Sequence, residues 1–332
     1  MPNCFCLAPR GCGPTPSLLP AGVSPALISH VVLQALAIPA LVVDLGCAIP
    51  PAIPHLRLPA PAGLGAARCL RTGQAMPRHR VEALLAQGQR WGRSLAARTP
   101  QAPLLIAECV PGGTTTAQAV LCGLGLEAAG LVSGSLRCPA HALKQELVEH
   151  GALVAGLGLG EGSRNDPLAV VAALGDPMQP LAAGLVLEAA LADLPVMVAG
   201  GSQMAAVLAL ALATPAQRPR LIASTALATT RWVAEEAGSD LVRLLHEVGR
   251  RWQVEPLAFC SALRFSRAGH PALAAYEEGF VKEGVGAGGL AVLWQLSGRD
   301  PQDLAQRCGV ACSQLLSESL VPSGEGLRSS DG

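Results

Sequence analysis

Short apolar runs, each bounded by turn residues, recur along the chain between longer Ala/Leu-rich stretches. They are PALVVDL (39–45), PLLIAE (103–108), AGLVS (129–133), GALVAG (151–156), PVMVAG (195–200), RLIAST (220–225) and VEPLAFCS (254–261). The runs are nearly continuously apolar rather than alternating, which is how strands buried on both faces read. Helical stretches such as AHALKQELVEH and PLAAGLVLEAALADL separate them. This alternation predicts an α/β domain with a mainly parallel sheet, and after about Phe265 it stops. In such sheets a ligand sits beyond the carboxyl ends of the strands. The segments ECVPGGTTT, AGGSQM and LGLGEGSRND all occupy that position.

Half of the 332 residues are apolar, enough for a sizeable core. Lys plus Arg and Asp plus Glu stand at 24 each and aromatics at 3%. The chain therefore has neither the basic stripe nor the stacking platform of a nucleic-acid binder. No apolar run reaches the roughly 18–20 residues of a membrane span, and the first residues lack the charged start and apolar centre of a signal peptide. A soluble, cytoplasmic protein is expected. The eleven cysteines include isolated ones in apolar segments, such as Cys122 and Cys260, which read as small hydrophobes. Cys4, Cys6 and Cys12, and the pair Cys308 and Cys312, lack the spacing and companion ligands of a zinc site, so no metal is expected. The Pro-rich tract from Ile49 to Pro61 reads as a surface connection, and the tail from Pro322 as disordered.

In ECVPGGTTT an apolar run ends in Glu108, followed by Gly112, Gly113, Thr114, Thr115 and Thr116. A strand leading through a glycine turn into a helix aims free backbone N–H groups at one point, and the helix dipole adds positive potential there. Glycines allow close approach and threonines add hydroxyl donors, so the segment has the composition of a phosphate cradle. It lacks the spacing and lysine of a Walker A loop. A tight strand-to-helix turn with a threonine cap is the alternative. A second carboxylate, Glu283, lies in EEGFVKEGVGAGGL, where Gly284, Gly286 and Gly289 satisfy G-x-G-x-x-G. That motif raises a dinucleotide-dependent oxidoreductase, but it does not open a βαβ unit here, and a close-packed glycine turn is the simpler reading.

The segments AECVPGGTTTA, HALKQELVEHGAL, DPLAVVAALGDPMQPLAAGLVLEAALADLPVMVAGGSQM and AGHPALAAYEEGFVKEGVGAGG occur in this order between Leu104 and Gly289. Together they resemble the nicotinate-nucleotide–dimethylbenzimidazole phosphoribosyltransferase family, in a divergent branch. The resemblance implies transfer of 5-phosphoribose from nicotinate mononucleotide to a ring nitrogen of dimethylbenzimidazole or a related base such as adenine. Nicotinate would leave, and the product would be an α-riboside phosphate for a cobamide lower ligand. The resemblance also implies a Rossmann-like domain over 36–266 and a smaller, mostly helical domain built from 1–35 and 267–321. That smaller domain would carry the catalytic glutamate loop and precede a tail at 322–332. A homodimer with small-molecule partners and no cofactor or metal is implied as well. By position, Glu283 falls on the general base and Lys144 on a lysine that meets phosphate. Glu108 with the 112–116 loop falls on the first active-site loop. Gly200, Gly201 and Ser202 fall on a further substrate loop, with Gly284 and Gly286 beside the base. Gly269-His270 matches a Gly-His of the family, although a helix-capping histidine reads equally well. Val110, Gly113, Lys282 and Val285 depart from the family pattern around the acceptor pocket, leaving the identity of the base open. A non-catalytic nucleotide-binding protein of the same fold is the remaining alternative.

Overall fold

The computed structural model describes residues 18–19, 22–58, 65–214, 217–266 and 270–319. Cys4, Cys6, Cys12, Gly269 and the tail from Pro322 lie outside these residues. The strands are β1 (Leu18–Leu19), β2 (Gly22–Val23), β3 (Val42–Asp44), β4 (His55–Arg57), β5 (Leu104–Ala107), β6 (Val196–Ala199), β7 (Thr225–Thr229) and β8 (Leu257–Cys260). The helices are α1 (Ala26–Ala35), α2 (Arg78–Arg98), α3 (Gly113–Gly123), α4 (His141–Ala155), α5 (Pro167–Leu174), α6 (Met178–Leu191), α7 (Ser202–Ala213), α8 (Arg218–Ala223), α9 (Arg231–Ala234), α10 (Leu241–Trp252), α11 (Pro271–Glu277), α12 (Ala287–Leu296) and α13 (Pro301–Ser319).

The central sheet has the order β5-β6-β7-β8 and every pairing in it is parallel. Successive strand residues point to opposite faces, and in β6 Val198 and Ala199 are both buried, as are Leu227 and Ala228 in β7. Helices therefore cover both faces of these two strands, as their apolar runs predict, whereas β5 at one edge is partly buried and β8 at the other, with Cys260, is exposed along its length. The expected strand at 39–45 exists as β3 but pairs with β4 in a separate parallel ribbon.

Three expected strands are absent. Residues 151–156 are the last turns of α4, which stops at Gly156 in the left-handed conformation (φ 67°). A short apolar run cannot by itself distinguish a strand from the buried face of a helix, and here Val148 and Ala152 pack with Leu70 and Leu174. At 220–225 a proline in the first turn starts α8, so the strand begins only at Thr225. Residues 129–133 form a turn, exposed at Ala129 and Gly130 and buried from Leu131, whose polar groups go to other segments: the Ser133 N–H donates to Ser202 Oγ (2.9 Å), and the Leu131 carbonyl accepts from the Asp240 N–H.

Two cores result. The larger surrounds the sheet, where α2 lies against α6 so closely that a Cβ on Gly88 would stand 2.1 Å from the Leu181 carbonyl oxygen. The second joins α1 to α11, α12 and α13, with Trp232, Phe265 and Tyr276 clustered at centroid distances of 4.8–5.2 Å, Trp232 stacked on Phe265 and Tyr276 edge-on to Phe265. The Tyr276 hydroxyl donates to the Val23 carbonyl (2.8 Å), tying the two ends of the chain together. Among the described residues no helix is long and apolar enough to cross a membrane.

Candidate active site

Parallel strands deliver their C-terminal ends to one edge of the sheet. β5 runs into Glu108, β6 into Gly200 and Gly201, and β7 into Thr229 and Thr230. Glu108 is buried, and its Oε2 accepts from the Val110 N–H at 2.9 Å. Gly112 then adopts a left-handed conformation (φ 73°) that turns the chain into α3. Gly113 lies under the Gln203 amide at the start of α7, since a Cβ there would fall 1.7 Å from Gln203 Oε1 and the flexible side chain would have to move aside. Thr114 and Thr115 stand partly exposed in the first turn of α3. Thr116 turns inward and donates to Asp176 Oδ2 (2.6 Å) as well as to the Gly113 carbonyl (3.0 Å). The cap of this helix is thus a glycine rather than a threonine.

Glu283 precedes α12 and lies against the end of β7. Its Oε2 accepts from Thr229 Oγ1 (3.1 Å) and the Thr230 N–H (2.8 Å), and its Oε1 from the Gly284 (3.0 Å) and Gly288 (3.1 Å) N–H groups. A carboxylate offers about four acceptor positions, so these donors fill it. The same contacts answer the dinucleotide reading: a carboxylate already occupies the amides where a pyrophosphate would sit. Gly286 and Gly289 are used for packing, because a Cβ on either would strike the Ala107 or Ala199 methyl at 2.7 and 2.3 Å. The two glutamate loops are bonded together, the Val285 N–H donating to the Glu108 carbonyl (2.9 Å) while the Val285 carbonyl accepts from Ser29 Oγ (2.7 Å).

Burial pushes the Glu108 carboxyl up to about 8, opposed by the Val110 N–H and reinforced by the negative charges of Asp176 and Glu283. Burial also raises Asp176 and Glu283, each against the pull of its hydrogen-bond donors. Asp176 is absent from the sequence reading. In LGDPMQP it looks like a helix cap, and it is one, its Oδ1 accepting from the Met178 N–H (3.0 Å). Its bond to Thr116, 60 residues away, leaves no local signal.

Lys144 is buried and donates to the Ser133 carbonyl. The surface pairing at helical spacing that its sequence context suggests does not form. Burial pulls its ammonium down to about 8, with Glu236 opposing and the charge of Lys282 adding to the effect. Lys282 and Glu236 make an ion pair of 2.7 Å, with side chains only 2% and 4% exposed. Lys282 also donates to the Leu136 (2.7 Å) and Gly279 (2.9 Å) carbonyls. Lys282 is thus the ion-pair partner of Glu236, and Lys144 feels that carboxylate only through its charge. Ser133 connects this cluster to the sheet edge: its N–H meets Ser202, its carbonyl Lys144 and its hydroxyl Glu236. A cavity of about 290 Å³ lined by Arg137, Trp232, Glu236, Tyr276, Gly279 and Lys282 opens beside it. His270 caps α11, accepting from the Ala272 N–H. Among the described residues no group of three or more His, Cys, Asp or Glu side chains is arranged to hold a metal ion.

Residues 29–231 match the family profile described as Phosphoribosyltransferase. The chain belongs to that family. It is 50% identical over 319 residues to a UPF0284 protein of Prochlorococcus marinus strain MIT 9313, covering 94% of this chain and 76% of that one. It is 49% identical over 310 residues to UPF0284 protein SYNW1869 of Parasynechococcus marenigrum strain WH8102, covering 91% and 75%. The nicotinate-nucleotide–dimethylbenzimidazole phosphoribosyltransferase structure from Thermus thermophilus superposes with a TM-score of 0.53 at 20% identity, covering 86% of this chain and 71% of that chain. A CobT structure from the same organism gives 0.52 at 22% identity, covering 86% and 72%. At those identities the superpositions establish the fold. The family read from the four sequence segments is borne out.

Proposed function

We propose that this phosphoribosyltransferase moves 5-phosphoribose from nicotinate mononucleotide to a ring nitrogen of dimethylbenzimidazole or a related base such as adenine. The bond from C1′ to the pyridinium nitrogen breaks, its electron pair neutralises the departing nicotinate, and a new C1′–N bond forms on the opposite face. The other ring nitrogen of the acceptor loses its N–H proton to a carboxylate, which makes the attacking nitrogen a stronger nucleophile and leaves the product neutral in its base. Departure of a pyridinium is intrinsically easy, so the protein's main contribution is to hold donor and acceptor in line and take that proton.

The observation that carries this reading is the pair of buried carboxylate loops at the C-terminal edge of the parallel sheet, joined by the bond from Val285 to Glu108. Their roles differ physically. Glu283 has its acceptor positions filled and serves to clamp α12 to the end of β7. The resemblance puts the base at Glu283, whereas hydrogen-bond capacity favours Glu108, which accepts one backbone N–H and is approached by Gln203. Glu108 therefore takes the proton. A bound pyridinium cation lowers the pKa that burial has raised and makes the carboxylate form available. The first turn of α3, with Gly112, Thr114 and Thr115, and Lys144 receive the phosphate. The working unit is a homodimer, as the resemblance implies.

The test is product formation. Purified protein incubated with nicotinate mononucleotide and a panel of azole and purine bases should release nicotinate, followed by chromatography, in step with a new riboside phosphate. Binding of the nucleotide with no release for any base would leave a nucleotide-binding protein of the same fold.

A further inference from the structure

The helices that begin at the glutamate edge end at the opposite edge, and arginines collect there. A cavity of about 340 Å³ is lined by Leu124, Arg164, Asn165, Arg218, Arg251 and Trp252, among others. Leu124 caps the C-terminus of α3, Trp252 ends α10, and Arg218 follows α7 closely. At 1.5 Å per residue α3 is roughly 16 Å long, so this cavity is about one helix length from the carboxylate loops.

Helix C-termini carry partial negative charge, and an arginine there is the ordinary outcome. Arg251 Nε donates to the Leu124 carbonyl (3.1 Å) and Arg218 Nε to the Leu212 carbonyl (2.8 Å). Each bond uses one of the five guanidinium donors and fixes the group by its inner nitrogen, leaving the terminal fork for another partner. Capping accounts for these two anchors but not for the rest of the arrangement. Among the described residues none of Arg164, Arg218 and Arg251 forms an ion pair, and Arg164 makes no hydrogen bond either. Among the described residues no carboxylate lines the cavity. Of the carboxylates in flanking segments, Glu161 and Glu247 are taken by Arg250 at 2.8 Å, and Asp166, between the lining residues Asn165 and Pro167, by Arg78. Three guanidinium groups thus line one cavity without a counter-charge, two of them held by the main chain.

We propose that this cavity is a second binding site, separate from the site of phosphoribosyl transfer, for a small anion carrying a diphosphate group. Guanidinium forks match phosphate oxygens bidentately, and three of them balance a diphosphate better than a single phosphate. The volume is of the size that small-molecule sites occupy, roughly 300 Å³ and upward.

Isothermal titration of the full-length protein with inorganic pyrophosphate tests this, because it reads binding and does not depend on turnover. Expected are one pyrophosphate per chain, affinity that falls as salt rises, and full retention of binding in Lys144→Ala. Arg164→Gln, which breaks no bond of the fold, should weaken the affinity by roughly tenfold. Arg218→Gln with Arg251→Gln should abolish binding, with a melting curve confirming that the variant is folded. The proposal is overturned if pyrophosphate does not bind, if inorganic phosphate binds as tightly, or if binding is lost in Lys144→Ala and kept in Arg164→Gln. The last result would assign the anion to the transfer site.

Discussion

Gly288 lies so close to Thr229 that a Cβ on the glycine would stand 2.1 Å from the threonine carbonyl carbon. The neighbour is backbone at the end of a central strand and cannot move aside. This contact lets the Gly288 N–H reach Glu283, so sheet, glutamate and helix are fixed as one unit.

Gly288→Ala should therefore destabilise the protein by about 1–3 kcal/mol or more, as overpacked sites do. Gly112→Ala has nothing within 4 Å of the added carbon and meets only the cost of a positive φ, about 1 kcal/mol. Urea denaturation of the two variants should rank them in that order. Equal losses would mean that the α12 junction yields more easily than its geometry says.

Glu108→Gln should lower kcat by roughly 10²-fold or more while leaving nucleotide affinity nearly unchanged. Glu283→Gln should act differently. Its amide NH₂ would face main-chain N–H donors in place of an acceptor, so the first effect expected is a lower melting temperature. If Glu283→Gln folds with wild-type stability and alone loses turnover, Glu283 is the base.

Burial brings Glu108 and Lys144 both to about 8, with opposite consequences. Rising pH creates the Glu108 carboxylate and removes the Lys144 charge, so kcat/KM should pass through a narrow maximum near pH 8. Glu108→Gln should remove the acidic limb and Lys144→Ala the alkaline one. With donor bound, the pyridinium shifts the acidic limb of kcat below that of kcat/KM.

The same carboxyl has a stability consequence. The folded state retains the Glu108 proton up to about 8, whereas the unfolded chain releases it near 4.5. Between those values the folded state binds more protons, so stability falls as pH rises through the window. Asp176 and Glu283, also raised, act in the same direction. Melting curves from pH 5 to 8 should show the decline, and Glu108→Gln should make it shallower.

Lys282→Met leaves the Glu236 charge buried without its partner and should cost about 3–5 kcal/mol. Adding Glu236→Gln to that variant should recover part of the loss. Chemical denaturation of the single and double variants measures both, and no recovery would show that the ion pair is not the source of the cost.

Sequence legibility followed locality. The continuous apolar run ending at Gly200 announced a central strand, because burial on both faces removes the alternation that other strands keep, while the run ending at Glu108 is as apolar but forms the edge strand β5. The run at 151–156 misled because a helix end packed against Leu174 has the same composition over six residues. Glu108, Glu283 and Lys144 stood out through neighbouring motifs. The contacts that set their chemistry did not: Asp176 with Thr116, Lys282 with Glu236, and Ser133 with Lys144 each join separate segments. Lys282 was visible as a departure from the family, but its buried partner could be found only in the fold.

The bond from Tyr276 to Val23 sets an order of events during synthesis. Leu27, Ile28, Val31 and Val32 of α1 leave the ribosome early, while the residues that bury them, from Leu273 to Cys312, are made some 250 positions later. At about 5–20 residues per second the apolar face of α1 waits roughly 12–50 s for its partners. Throughout that interval the sheet domain can close around its own core, but α1 cannot. The nascent chain thus carries an apolar helix face without its partners through that interval, the kind of surface a holding chaperone engages.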